Sequence, residues 1–289
     1  SVIVGKHQNT LAEINYHYLR KNRIPVIRRI TGGGTVYHDM GNLNFTFIQK
    51  GEKGKLVDFR RFIDPVIEAL KQMGLNARFE EKNNIMINGY KVSGNSEHVY
   101  KNRVLHHGTL LFSSDLDRLE EAIRVSEEKY HDRSVKSIRT RVANIKEFLP
   151  KPVTIEAFRD SITAFFMKRN KGSVIISLSK EDVQNIQKLA ASKYRSRAWN
   201  FGYSPEYNFH NQIDYYIGRI EFDMRVKEGK IQSLDCRFPG KDANFDTFIH
   251  EMLAGQEHEY DSLEILMNKH QNELNKWDMK PDILLRLLF

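Results

Sequence analysis

Apolar and polar positions along this 289-residue chain change period several times, and each change marks an element. Residues 2–4 read as a strand, and Thr10-Leu-Ala-Glu13 then has the S/T-x-x-E form of a capped helix start. Residues 25–30 and 43–48 are strand-like, with a glycine-rich stretch between them. Asp64-Pro65 opens a helix whose apolar side carries Val66, Ile67, Ala69 and Leu70, and Gly74 stops it. Residues 85–87 and 90–92 flank Asn88-Gly89, a strong hairpin signal. Residues 104–112 form another strand, followed by a helix from Ser114.

Helical spacing returns over 154–168, with Ile155, Phe158, Ile162 and Phe165 on one side. Residues 174–176 read as a buried-type strand, and Ser179 caps a helix bearing Val183, Ile186 and Leu189. The stretch 200–210, NFGYSPEYNFH, is aromatic and turn-rich and reads as a linker. Beyond it Ile220, Phe222, Met224 and Val226 alternate into Glu228-Gly-Lys230, a partner strand starts at Ile231, and two helical segments finish the chain. The order implies a larger α/β domain followed by a small α/β unit of roughly eighty residues.

Composition narrows the class without choosing a function. The chain is 40% hydrophobic and 28% charged, ordinary for a globular protein, and its net charge of +8 suits anionic partners. The lone cysteine, Cys236, excludes an internal disulfide and a Cys-rich metal site. With no bilayer-length apolar run and no signal-peptide pattern, the expectation is a cytoplasmic protein with no membrane association.

Four blocks carry candidate chemistry. RRITGGGTVYHDMGN places three glycines after Arg28 and Arg29 and before His38-Asp39. It is neither a Walker A loop nor a dinucleotide fingerprint. Two arginines are costly to bury unpaired, so an anion beside bare amides would suit them, although a tight turn is equally compatible. In NNIMINGYKVSGNS, Lys91 enters a Ser-Gly turn. LHHGTLLF has adjacent histidines that strand geometry sends to opposite faces, one to the core and one to a pocket. KSIRTRVANI alternates Arg139 and Arg141, which by itself is a basic edge.

Together, in this order and spacing, the four blocks resemble the lipoate-protein ligase A family over nearly the whole chain, and WNFGYSPEY resembles the end of its catalytic domain. The resemblance implies a catalytic domain over 1–204, α/β with mixed sheets and flanking helices of the biotin/lipoate protein ligase type. A small α/β accessory domain follows over 205–289. It implies that ATP and lipoate, and octanoate as well, form an acyl-adenylate and pyrophosphate, after which the acyl group passes to a lysine of an acceptor domain. Lys91 is then the central catalytic residue, touching the acyl carbonyl and the α-phosphate. Arg28, Gly33, Gly34, Tyr37, His38, Gly41, Asn42, Asn83, Ser93, Gly94, His107, Gly108, Arg139 and Arg141 contribute to the lipoyl-adenylate site. Mg²⁺ is implied, held mainly through phosphates. Asn84 stands where many members have an aspartate, and it offers an oxygen without charge. The implied partners are lipoyl domains of 2-oxoacid dehydrogenase E2 subunits and glycine-cleavage H protein, with no stable nucleic-acid complex. A strand and helix normally precede the VIVG strand in the family, so an upstream segment outside this sequence is expected.

Asn84 leaves open an alternative, an acyltransferase of the same fold that uses preformed acyl-adenylate. A cysteine-dependent transferase is disfavoured because Cys236 falls in the accessory region. Ser96, where alanine is common, and Thr31, where serine is usual, are smaller departures.

Overall fold

The computed structural model describes residues 1–51, 56–80, 83–123, 127–138, 140–216, 218–240 and 243–289. Its strands are β1 (Val2–Val4), β2 (Val26–Arg28), β3 (Val36–Tyr37), β4 (Asn42–Lys50), β5 (Ala77–Glu80), β6 (Asn84–Ile87), β7 (Tyr90–Tyr100), β8 (Arg103–Leu111), β9 (Tyr130–Asp132), β10 (Tyr207–Tyr215), β11 (Gly218–Lys227) and β12 (Lys230–Arg237). The helices are α1 (Tyr16–Lys21), α2 (Phe59–Gln72), α3 (Leu116–Ala122), α4 (Ile155–Arg169), α5 (Lys180–Leu189), α6 (Ala243–Leu253), α7 (Tyr260–Lys269), α8 (Gln271–Lys276) and α9 (Pro281–Leu288). The fold is α/β. Its residues group into two compact units that interleave in sequence. The first comprises Ser1–Lys6, Arg29–Ile123 and Ser137–Leu189; the second comprises His7–Arg28, Arg124–Lys136 and Ala190–Phe289.

In the first unit a five-stranded antiparallel sheet runs in the order β4-β8-β7-β6-β5. Asn88 and Gly89 both take positive φ, as the two-residue turn between β6 and β7 requires. One face of this sheet is covered by α2 and α4, whose Ile63, Val66, Leu70, Phe158 and Ile162 meet Ile85, Val92 and Leu110. Each such side chain removed from water contributes about 1.5–3 kcal/mol. Separately, β1 pairs with β3, Val2 opposite Tyr37.

In the second unit β12-β11-β10-β9 form an antiparallel sheet. Its inner positions Phe209, Ile220, Phe222 and Met224 are buried, as are Phe245 of α6, Leu263 of α7 and Leu284 of α9. The alternation read along 220–226 is that buried row.

Several elements differ from the sequence reading. Thr10 caps no α-helix: its hydroxyl donates to the Asn200 carbonyl, and α1 starts later, at an Asn15 cap that accepts from Tyr18 N–H. Helix α2 begins at an Asp58 cap and carries Pro65 inside it. Phe62 and Ile63 continue the same buried stripe upstream of the proline, and their packing outweighs the roughly 3 kcal/mol that an interior proline costs. Asp115, not Ser114, caps α3. Residues 174–176 are exposed and belong to no strand, because no described strand pairs with them. Residues 200–210 are not a linker: Trp199 and Asn200 are buried in a helical turn, and residues from Tyr207 onward belong to β10. Four helices, not two, follow β12 among the described residues.

Candidate active site

The glycine stretch in the first unit is organised by Arg29. Its guanidinium donates to Thr31 Oγ1 (3.0 Å), to the carbonyls of Gly32 (2.6 Å) and Gly34 (2.7 Å), and to that of Ile3 (3.1 Å). Burial lowers its pKa to about 10, so it stays charged at neutral pH. Gly33 has φ +88°, a conformation that suits glycine, and a Cβ there would lie 3.1 Å from the guanidinium. Two hydroxyls clip the loop further. Ser96 Oγ donates to the Gly32 carbonyl (2.9 Å), and Ser137 Oγ accepts from Thr35 N–H (2.9 Å). Gly34 packs against Ser137.

Lys91 stands at the start of β7. Its N–H donates to the Arg141 carbonyl and its own carbonyl accepts from Ala143 N–H, so the 141–143 segment runs parallel to it. Its ammonium lies over Gly94, where an added Cβ would come within 3.4 Å of Nζ. The backbone thus fixes the base of the side chain, and the missing Cβ at Gly94 leaves room for its tip.

The two histidines of β8 face opposite sides of the sheet. His107 pairs with Ser96 and Thr46, and its Nε2 meets Thr31 Oγ1 at 2.6 Å, so it belongs to the glycine-loop face. His106 points to the helix side and is completely buried beside Phe62. Burial lowers both imidazoles, and that of His38, to about 4; Arg29 adds to the effect on His107 and His38. All three are neutral at pH 7. His38 Nε2 and Asn42 Oδ1 are buried and unpaired among the described residues.

Of the residues expected at the site, Gly33 lies beside Arg29 and Ser96, Gly34 beside Ser137 and His107 beside Thr31, while Lys91 and Gly94 meet each other on β7. Tyr37 and His38 follow directly from the loop, the former almost fully buried. Gly41 serves a close crossing: a Cβ would sit 2.1 Å from the Ser113 carbonyl. Asn42 starts β4 and donates to Asn44. Asn83 donates to the Asn95 carbonyl, Ser93 is buried beneath Asn95, and Gly108 lies against the Asn95 amide. Arg141 enters through its carbonyl while its side chain is exposed. Arg139 lies outside the described residues. Arg28 belongs to the second unit, where its guanidinium is enclosed by the carbonyls of Trp199, Gln8 and Asn200 and the hydroxyls of Thr10 and Ser204.

Asn84 is buried at the start of β6, opposite Gly94. Among the described residues no cluster of three His, Cys, Asp or Glu side chains could hold a metal. That donor set fits a cation carried by phosphate oxygens with at most one neutral amide oxygen from the chain.

On the helix side of the sheet, a cavity of about 250 Å³ is lined by Leu43, Phe45, Phe47, Leu110, Ile162 and Phe166, among others. It is apolar and lies on the face away from His107. Arg29, Ser96 and Ser137 as loop clips were not singled out from sequence. A run of bare glycine carbonyls needing donors was the signal available for Arg29.

Residues 1–167 match the family model described as the lipoyl protein ligase A/B catalytic domain. The chain is 40% identical over 263 residues to the lipoate-protein ligase LplJ of Bacillus subtilis, covering 90% of this chain and 79% of that one. It is 38% identical over 291 residues to lipoate–protein ligase 1 of Staphylococcus aureus, covering 100% and 88%. Among solved structures it is similar to a lipoate-protein ligase A bound with ATP (29% identity, TM-score 0.60, covering 70% of this chain and 82% of that one). A bi-partite lipoate protein ligase from Thermoplasma acidophilum, solved in work that includes its E2 lipoyl domain, is also similar (28% identity, TM-score 0.60, covering 70% and 80%). No described helix is long and apolar enough to cross a membrane.

Proposed function

Because the chain belongs to the lipoate-protein ligase A family, we propose that it activates lipoate, and octanoate by the same route, with ATP and transfers the acyl group to a lysine of an acceptor domain. The observation that supports this reading is the attachment of the glycine loop to Ser96 of β7, the strand that carries Lys91, and to His107 of β8. The carboxylate oxygen of lipoate attacks the α-phosphorus, the bond to the β-phosphate breaks, and pyrophosphate leaves. The acceptor amine then attacks the acyl carbon, AMP departs, and the amine's proton goes to solvent.

Lys91 donates to the acyl carbonyl and α-phosphate oxygens as negative charge grows on them, a fixed cation needing no proton transfer of its own. The Arg29-held loop lets the acyl chain approach backbone at Gly33 and Gly34. His38 and Asn42, with buried atoms unpaired among the described residues, and neutral His107 offer hydrogen bonds to the ligand. Arg139 and Arg141 accompany the segment that would close over the adenylate. Mg²⁺ borne by the phosphates supplies charge neutralisation when bound, with Asn84 as the chain's own candidate oxygen ligand. Orientation of the anhydride against the incoming amine accounts for the transfer step. Lipoyl domains of E2 subunits and H protein are the proposed acceptors, in the cytoplasm, and the +8 charge would speed encounter with acidic ones.

Pyrophosphate release from lipoate and Mg·ATP without acceptor tests the reading. The chain should release it, and Lys91→Ala should slow release by about 10²–10³-fold with an unchanged melting temperature. The uncharged Asn84 favours one second reading, transfer from preformed acyl-adenylate. Absence of pyrophosphate alongside transfer from supplied lipoyl-adenylate would select it.

A further inference from the structure

We infer that Glu97, His106 and Asn95 form a buried hydrogen-bond chain, on the helix side of the sheet, that sets the position of Asn83, one of the residues expected at the adenylate site. Glu97 and His106 are thereby positioning residues for activation. This rests on the ligase reading above.

The amide of Asn95 fixes the direction of the chain. Its Nδ2 donates to the Asn83 carbonyl (2.9 Å) and to Ser93 Oγ (3.2 Å), so its Oδ1 must be the acceptor at the other end. The group facing Oδ1 is His106 Nε2, at 3.3 Å. Nε2 therefore carries hydrogen. At the opposite edge of the ring, Nδ1 meets Glu97 Oε1 at 2.9 Å. A neutral ring with hydrogen on Nε2 needs a donor there, which Glu97 supplies in its protonated form. The burial of both side chains favours this uncharged pair, pushing Glu97 up to about 7 and His106 down to about 4. Asp58 at the α2 cap also bears on Glu97, and His107 on His106; the ring also meets Phe45, Phe47, Phe59 and Phe62.

Two further features make this a built arrangement. Asn83 returns the contact by donating to the Asn95 carbonyl (2.6 Å) and accepting from Asn95 N–H (3.1 Å), so its backbone and side chain are both held. At Gly108, a Cβ would fall 2.1 Å from Asn95 Oδ1 and 2.4 Å from the Phe45 ring. The glycine after the paired histidines thus makes room for the Asn95 amide. In the LHHG block, His106 supplies the donor and Gly108 the space.

Glu97→Gln can still donate to Nδ1; Glu97→Leu cannot. The full chain, wild type and both variants, would be assayed for pyrophosphate release from lipoate and Mg·ATP and for transfer from supplied lipoyl-adenylate. Nitrogen-detected NMR would report the His106 tautomer. The expectation is that the Gln variant retains both activities within about threefold, whereas the Leu variant loses roughly ten- to a hundredfold in release and far less in transfer. The tautomer should be Nε2–H in all three, because Asn95 Oδ1 still faces Nε2, and the Nδ1 resonance should move downfield only in the Leu variant, where its donor is lost. A bare Nε2 in the wild type would overturn the chain whatever the activities. Equal losses in both half-reactions, or a Gln variant as impaired as the Leu variant, would overturn the positioning role. Wild type lacking pyrophosphate release refutes the ligase reading and the link to activation with it; the NMR result then judges the chain alone.

Discussion

Arg28 and Arg29 are neighbours in the chain, yet the first locks the second unit and the second shapes a loop of the first. Burial lowers both to about 10, and both donate to neutral carbonyl and hydroxyl oxygens. They differ in reach. Arg28 holds Gln8 and Thr10 on one side and Trp199, Asn200 and Ser204 on the other. Among the described residues the Arg29 guanidinium holds Ile3 and, a few residues away, Thr31, Gly32 and Gly34. Long-range bonds of the first kind hold a tertiary core, and local bonds of the second kind select one loop conformation. A buried guanidinium is therefore no sign of an anion site by itself.

Substituting each arginine should separate these roles. Arg28→Met strands several buried acceptors and should cost on the order of 3–5 kcal/mol. Urea unfolding followed by tryptophan fluorescence reads this directly, since Trp199 and Trp277 both lie in the second unit. Arg29→Met should cost less, about 1–3 kcal/mol, and leave that fluorescence midpoint nearly in place. It should slow pyrophosphate release roughly tenfold or more by loosening the loop. Equal fluorescence shifts in the two variants would erase the distinction.

The smallest effect is one of pH. His38, His106 and His107 in the first unit and His258 in the second are lowered by burial from 6.5 to about 4. The unfolded chain protonates first, so their stabilisation is complete above the ordinary histidine range and is lost as pH falls from 6.5 toward 4. Glu97, raised from 4.5 to about 7, opposes this, because its folded form keeps a proton that the unfolded chain releases. Acidification should lower the unfolding midpoint by both probes: hydrogen-exchange protection in the first unit, where Glu97 offsets part of the histidine effect, and tryptophan fluorescence in the second, where burial also lowers His17. A midpoint that rises on acidification by either probe would count against neutral buried histidines in that unit.

What sequence revealed, and what it hid, follows the same line between local and distant causes. Asn88-Gly89, the 154–168 helix and the 220–226 alternation declare themselves because their signals are contained within a few residues. Thr10 and Asn200 misled because they bond each other across 190 residues of chain, and 207–210 because turn-rich spacing hid a strand that pairs with β9 as well as β11. At the candidate site, the glycine turn and the hairpin that leads into Lys91 were legible as local structure from their blocks. The Glu97–His106–Asn95 chain depends on the β7–β8 register, in which a slip of one residue would send every side chain to the other face.

The interleaving of the two units also bears on how the chain comes off the ribosome. His7–Arg28 is made long before its acceptors at 199–204 exist, so Arg28 emerges hydrated and the second unit must wait for the end of synthesis. A fragment cut after residue 204 would keep β10 but lose β9, exposing the edge that Tyr207, Asn208 and Phe209 give to Asp132, His131 and Tyr130. An open strand edge of that kind templates aggregation, so dissecting this protein calls for permuted or co-expressed pieces, not a single cut.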